Sequence, residues 1–201
     1  MGFHTDLMVR AGAQVTAIDI SSASVEATRR RLALKGLSAE VREADAEAML
    51  FPRGAFDFVW SWGVIHHSSR TALIVRRISE LLSEDGEARV MVYNREGASA
   101  WAVLLRDYFL KGGFRKRTFD EQLWVGSDGF TARHYVKEQF ADLFRAFFRD
   151  VRAEICGQDA DAVPLPRQLR RLILPHVSSD RLAAWQARRG AFVFVTASSP
   201  F

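Results

Sequence analysis

Cysteine is almost missing from this chain: Cys156 stands alone and can form neither an internal disulfide nor a thiolate metal cluster. It lies in an apolar, strand-like stretch and reads as core filler. No run approaches the roughly 20 uninterrupted apolar residues of a membrane span. The first residues, with His4, Asp6 and Arg10, do not form a secretory signal. These absences point to a cytoplasmic protein. Internal repeats and low-complexity tracts are absent too, which excludes solenoids and disordered arrays. Neither charge sign dominates, with 28 Lys+Arg against 24 Asp+Glu and a formal charge of +4. The basic clusters at 29–31, 115–117, 167–171 and 188–189 each sit beside apolar residues, as solvated faces do, so nucleic acid is not the expected partner.

What is there suits one globular domain over residues 1–201, 48% of it hydrophobic. The first hundred residues alternate between two periodicities, the mark of β-α-β units around a parallel sheet. A short helix is expected to end near residues 6–11, followed by a buried strand at 13–20. Ser21 or Ser22 caps a helix that Gly36 stops. Strands are predicted at 39–44, 56–61, 88–93, 151–156 and 191–197, and helices at 71–82 and 137–147. A turn is expected at 84–86. From Asn94 to Phe130 the pattern breaks into an aromatic-rich, basic segment, read as an insertion over the ligand end of the sheet. Pro164, Pro166 and Pro175 punctuate an Arg-rich helical stretch before the last strand.

In an open parallel sheet ligands bind at the carboxyl ends of strands, so the polar residues just after each strand carry the chemistry. Asp19 ends its strand 17 positions after Gly2, close to the spacing at which an acid meets a ribose diol; the alternative is a helix cap. Asp45, in EADAEAML, can accept from an exocyclic amine of a base, or be an ordinary loop aspartate. The third feature is the turn from Trp62 through Gly63 to His66 and His67. Gly63 permits close backbone approach, and either histidine is a candidate base. Metal binding is not expected: adjacent histidines diverge, and no acid or cysteine is spaced to complete a tetrahedral site.

Three segments together, GFHTDLMVRAGAQVTAIDIS, EADAEAMLFPRGAFDFVWSWGVIHHSS and RRISELLSEDGEARVMVYN, resemble in order and spacing the class I S-adenosylmethionine-dependent methyltransferases, specifically the type 11 methyltransferase domain. That resemblance implies an α/β, Rossmann-like, mostly parallel sheet in the strand order 3-2-1-4-5-7-6. It implies S-adenosylmethionine as cofactor, held by Gly2 and His4, by Asp19 and Ile20, by Asp45 and Ala46, and by Trp62 and Gly63. His67 or His66 is then the candidate base. Arg133 and Tyr135 would face a small-molecule acceptor, Arg133 orienting an anionic group, unless they pack or cap the helix that follows. The Pro-Gly-Gly turn usual before strand five reads Glu84-Asp85-Gly86 here. The glycine-rich loop that opens the family's fold is represented only by Gly2, so the chain is expected to be an N-terminally truncated form without its first strand.

Two other functions compete with methyl transfer. A nucleotide-binding oxidoreductase also uses an acid after its second strand, but no Tyr-x-x-x-Lys pair is present. A non-catalytic binding or scaffold protein is the third reading.

Overall fold

The computed structural model describes residues 1–127, 131–163 and 165–201. Phe130, the expected end of the insertion, and Pro164 lie outside the described residues. The chain divides into two compact units, 1–51 and 52–201, where the sequence reads as one domain.

In the first unit Gly2 adopts a left-handed conformation (φ 69°) and opens helix α1 (Phe3–Arg10). A Cβ there would lie 2.7 Å from Thr28 Cγ2, so only glycine lets α1 approach the next helix this closely. Strand β1 (Thr16–Asp19) is shorter than the expected 13–20. Residues 11–13 belong to the end of α1, with Gly12 at φ 88° and the Ala13 amide donating to the Met8 carbonyl. The Ser21 hydroxyl accepts from the Ser24 amide and caps α2 (Ser22–Ala33), and Gly36 (φ 63°) follows its end. Strand β2 (Glu40–Glu43) runs parallel to β1, with Thr16 opposite Glu40 and Asp19 opposite Glu43. Val25 and Leu32 of α2 pack on Val41, with Ala17, Leu37 and Ala39 around them. Polar contacts fasten the two helices: the buried Asp6 carboxylate is bonded by Arg10, Arg31 and Lys35. The Lys35 contact, supported by Arg31 and Arg10, holds the Asp6 carboxyl below the usual carboxylate range.

The second unit contains β3 (Phe56–Trp62), α3 (Thr71–Leu81) and β4 (Leu82–Asn94). Then come α4 (Ala98–Val103), a π-helical continuation over Leu104–Leu110, a short 3-10 turn at Gly113–Arg115 and α5 (Phe119–Ser127). Strand β5 (His134–Tyr135), α6 (Lys137–Arg145), β6 (Phe148–Cys156) and α7 (Asp159–Ala162) follow. The remainder is α8 (Arg167–Ile173), α9 (Ser179–Arg189) and β7 (Phe192–Pro200). The sheet order is β3-β4-β7-β6, with β5 on the end of β4. Strands β3, β4 and β5 are parallel, while β7 is antiparallel to both β4 and β6. The α/β class is as expected and the sheet is mixed. The pieces β2-β1 and β3-β4-β7-β6 reproduce 3-2 and 4-5-7-6 of the implied order. Among the described residues, β1 and β3 each have a strand partner on one edge only.

Two local readings change. The expected turn at Glu84–Gly86 lies inside β4 as a bulge: Phe56 pairs with Leu82 but Phe58 pairs with Glu87, so β4 gains three residues on its partner. Strand β5 has only two residues, too few for a period to show. One face of the sheet is built by Ala88, Val90 and Val92 opposite Ala197, Val195 and Val193, all fully buried. Helices α3 and α6, carrying Ile74, Val75, Ile78, Phe140 and Phe144, pack against the sheet and each other.

Candidate functional site

Because β1 and β2 are parallel, Asp19 and Asp45 emerge at the same end of their sheet, where the Ala44 amide donates to the Asp19 carbonyl (3.0 Å). Asp19 is exposed, and its Oδ1 accepts from the Ser21 amide at 2.9 Å. It therefore shapes the strand-to-helix turn while Ser21 caps the helix. Ile20 beside it is 71% exposed, unusual for isoleucine and fitting for an apolar wall against a flat ligand. Asp45 is exposed and closes its own turn, Oδ1 accepting from the Glu47 amide (2.8 Å), with Ala46 half-buried. Helix α1 runs in the same direction as α2, Gly2 meeting Thr28 and Asp6 meeting Arg31 and Lys35. Gly2 and the half-buried His4, whose pKa burial lowers, thus lie at the α1 end directed as the start of α2 is, just after Asp19. Asp19 and Asp45, with Ile20 and Ala46 beside them, lie at the carboxyl end of a parallel strand pair, where ligands of open α/β sheets sit, whereas Gly2 lies against Thr28 in the body of α2.

In the second unit Trp62 ends β3 with its ring stacked on Trp60 (5.5 Å) and tilted against Phe192 and Phe194. Gly63 has φ 70°, and its amide donates to the Met91 carbonyl (3.1 Å). His66 and His67 then form a single 3-10 turn, and their environments differ sharply. His66 is fully buried, its ring 4.1 Å from that of His67 and 4.4 Å from that of Tyr93. Neither of its ring nitrogens has a hydrogen-bond partner among the described residues. Burial, with smaller contributions from His67 and His134, pushes its pKa down to about 3. His66 is thus an enclosed imidazole packed against His67 and Tyr93, in an environment unlike that of its neighbour. His67 is only half-buried, and its Nδ1 lies 2.8 Å from the Thr131 carbonyl. A carbonyl can only accept, so Nδ1 carries a proton and donates to it.

Sequence reasoning missed what holds this turn. Residues 131–135 lace it through His67 Nδ1 to the Thr131 carbonyl and the Arg133 amide to the His66 carbonyl (3.0 Å). Arg133 Nη1 donates to the Ser69 carbonyl (3.1 Å), and the Tyr135 hydroxyl donates to Thr71 Oγ1 (2.9 Å). The polar groups of Arg133 and Tyr135 therefore engage the histidine turn. Thr131 also lines an open cleft of about 480 Å3 together with Lys116, Arg117, Glu121, Trp124 and Val125, so the insertion contributes walls to a cavity bordering the residue that anchors His67. Among the described residues no group of histidine, cysteine and acid side chains could hold a metal ion.

Residues 1–90 match the family described as a methyltransferase domain. Among curated proteins, the ubiquinone biosynthesis O-methyltransferase of Stutzerimonas stutzeri (strain A1501) is 30% identical over 112 residues, 55% of this chain and 48% of that protein. The chain thus spans about half the length of the curated relatives it matches. Among solved structures, an S-adenosylmethionine-dependent methyltransferase from Mesorhizobium loti superposes with a TM-score of 0.62 at 18% identity, covering 98% of this chain and 85% of that one. The (4+2)-cyclase SpnF superposes with a TM-score of 0.63 at 18% identity, covering 99% and 72%. At 18% identity these likenesses show the fold alone.

Proposed function

We propose that this chain serves S-adenosylmethionine-dependent methyl transfer to a hydroxyl oxygen of a small-molecule acceptor. The observation that carries the reading is the pair of carboxylates, Asp19 and Asp45, at the carboxyl end of two parallel strands in a chain whose first 90 residues match a methyltransferase domain. Asp19 accepts from the ribose hydroxyls with Ile20 beside it, and Asp45 with Ala46 receives the adenine amine. Gly2 and His4 are the further cofactor contacts in the same unit. The cofactor supplies an electrophilic methyl group on a sulfonium.

The curated relatives are named O-methyltransferases, and an oxygen nucleophile is where a base has work to do. His67, held with Nδ1 protonated by the Thr131 carbonyl, takes the acceptor's hydroxyl proton at Nε2. Arg133 and Tyr135 act in this reading by fixing the turn that carries His67. The cleft lined by Lys116, Arg117, Trp124 and Thr131 receives the acceptor.

Calorimetric titration with S-adenosylhomocysteine and with NAD tests the cofactor, and radiolabelled methyl transfer to phenolic acceptors tests the reaction. Binding of S-adenosylhomocysteine alone, with transfer lost in His67→Asn, is the expected result. NAD binding would make the chain an oxidoreductase instead. Binding of neither ligand would leave a scaffold protein.

A further inference from the structure

We propose that the outward face of the insertion docks on an anionic lipid surface. Helix α4 and its π-helical continuation bury one stripe, Ala100 and Leu104, on Leu123, with Tyr108 and Phe119 around them. The neighbouring stripe is apolar as well but faces outward: Trp101 is 55% exposed, Leu105 59% and Phe109 54%, each four residues after the last. Leu110 (77%) and Phe114 (51%) extend it. Phe109 and Phe114 both pack on Tyr108, which joins the stripe to the turn beyond it. Five large apolar side chains within fourteen residues, each more than half exposed, exceed the scattered single exposures of an ordinary surface.

Charge selects the occupant. Lys111, Arg115, Lys116 and Arg117 follow directly, and no acidic residue lies from Tyr108 to Phe119. Arg115 lies over the Phe114 ring at 5.5 Å, a cation carried on the apolar patch itself. Among these cations Lys111 pairs with Asp107 (2.8 Å), which Arg106 and Lys111 hold down to about 2. A Trp, Phe and Leu stripe edged by Lys and Arg fits the boundary between acyl chains and anionic headgroups. Two of the five, Leu105 and Leu110, offer nothing for nucleic-acid bases to stack on and fit acyl chains instead. No helix among the described residues is long and apolar enough to cross a membrane, so the segment lies on the surface.

The test is co-sedimentation of the full chain with vesicles of phosphatidylcholine alone or mixed with phosphatidylglycerol. Partitioning onto the anionic vesicles should be about tenfold stronger than onto neutral ones and should weaken with salt. The triple substitution Trp101→Ser, Leu105→Ser, Phe109→Ser should lower it about tenfold or more, while Lys116→Gln with Arg117→Gln should remove mainly the anionic preference. Trp101→Phe guards against misfolding: it should keep vesicle binding yet reduce tryptophan quenching by brominated lipid. Equal partitioning of parent and triple variant, or no partitioning of the parent, overturns the proposal. So does binding of a single-stranded RNA that displaces the vesicles, or a dimer in lipid-free solution that the triple variant abolishes.

Discussion

His66 and His67 adjoin in sequence and differ in everything that matters chemically. His66 must remain neutral to stay buried, whereas the unfolded chain can protonate it near pH 6.5. With the folded pKa near 3, its burial carries no ionisation cost above pH 6.5, and stability is lost as pH falls from there toward 3, by about 1.4 kcal/mol per pH unit. Thermal melts between pH 7 and 4 should show this slope, and His66→Phe, which keeps the packing on Tyr93 without a titrating group, should flatten it. A melt whose pH dependence is the same in both chains would assign the slope to other groups. His67→Asn should leave fold and cofactor binding unchanged and lower turnover by about 100-fold or more, the usual scale of proton transfer by a side chain. Asp19→Ala should weaken S-adenosylhomocysteine binding by about 1.5 to 3 kcal/mol, the range for a hydrogen bond to a charged group. Unchanged affinity in calorimetry would take Asp19 out of the ribose role.

At the level of elements, the insertion is separable by construction. Its core of Ala100, Leu104 and Leu123 is its own, while Asn94 and Gly97 belong to the sheet: Asn94 Nδ2 donates to the Gly190 carbonyl, and a Cβ on Gly97 would come within 2.7 Å of that same oxygen. Replacing residues 98–127 with a short linker should therefore abolish methyl transfer while leaving cofactor binding within a few-fold, which calorimetry beside a transfer assay will show. Loss of cofactor binding as well would make the segment part of the scaffold. The elements legible in the sequence were those with a strong period or a cap: Ser21 ahead of α2, the Leu and Ile stripe of α3, the valines of β7. Asp19 and Asp45 were legible for the same reason, since a strand end marks where a ligand can sit. The bulge in β4 was hidden behind an ordinary turn signal at Asp85-Gly86. The anchor of His67 was hidden by distance, because Thr131 is 64 positions downstream and acts through its main chain, which any residue possesses.

Across the whole molecule, protection is expected to be unequal. Strand β4 is bonded on both edges and buries Ala88, Val90 and Val92, while β1, four residues long, has a single strand partner among the described residues. Hydrogen exchange should accordingly be slowest in β4 and β7 and distinctly faster in β1 and β2; equal protection would mean that the two units open together. The antiparallel strand β7 carries a further consequence, in the order of events during synthesis. It stands between β4 and β6, pairing Tyr93 with Phe192 and Val92 with Val193, about a hundred residues apart in the chain. Until the ribosome has released residue 200, β4 and β6 have no neighbour in common, and the aromatic and valine-rich strand that must join them arrives after both. The nascent chain therefore waits with two receptive strand edges exposed, the interval in which a chaperone has most to protect.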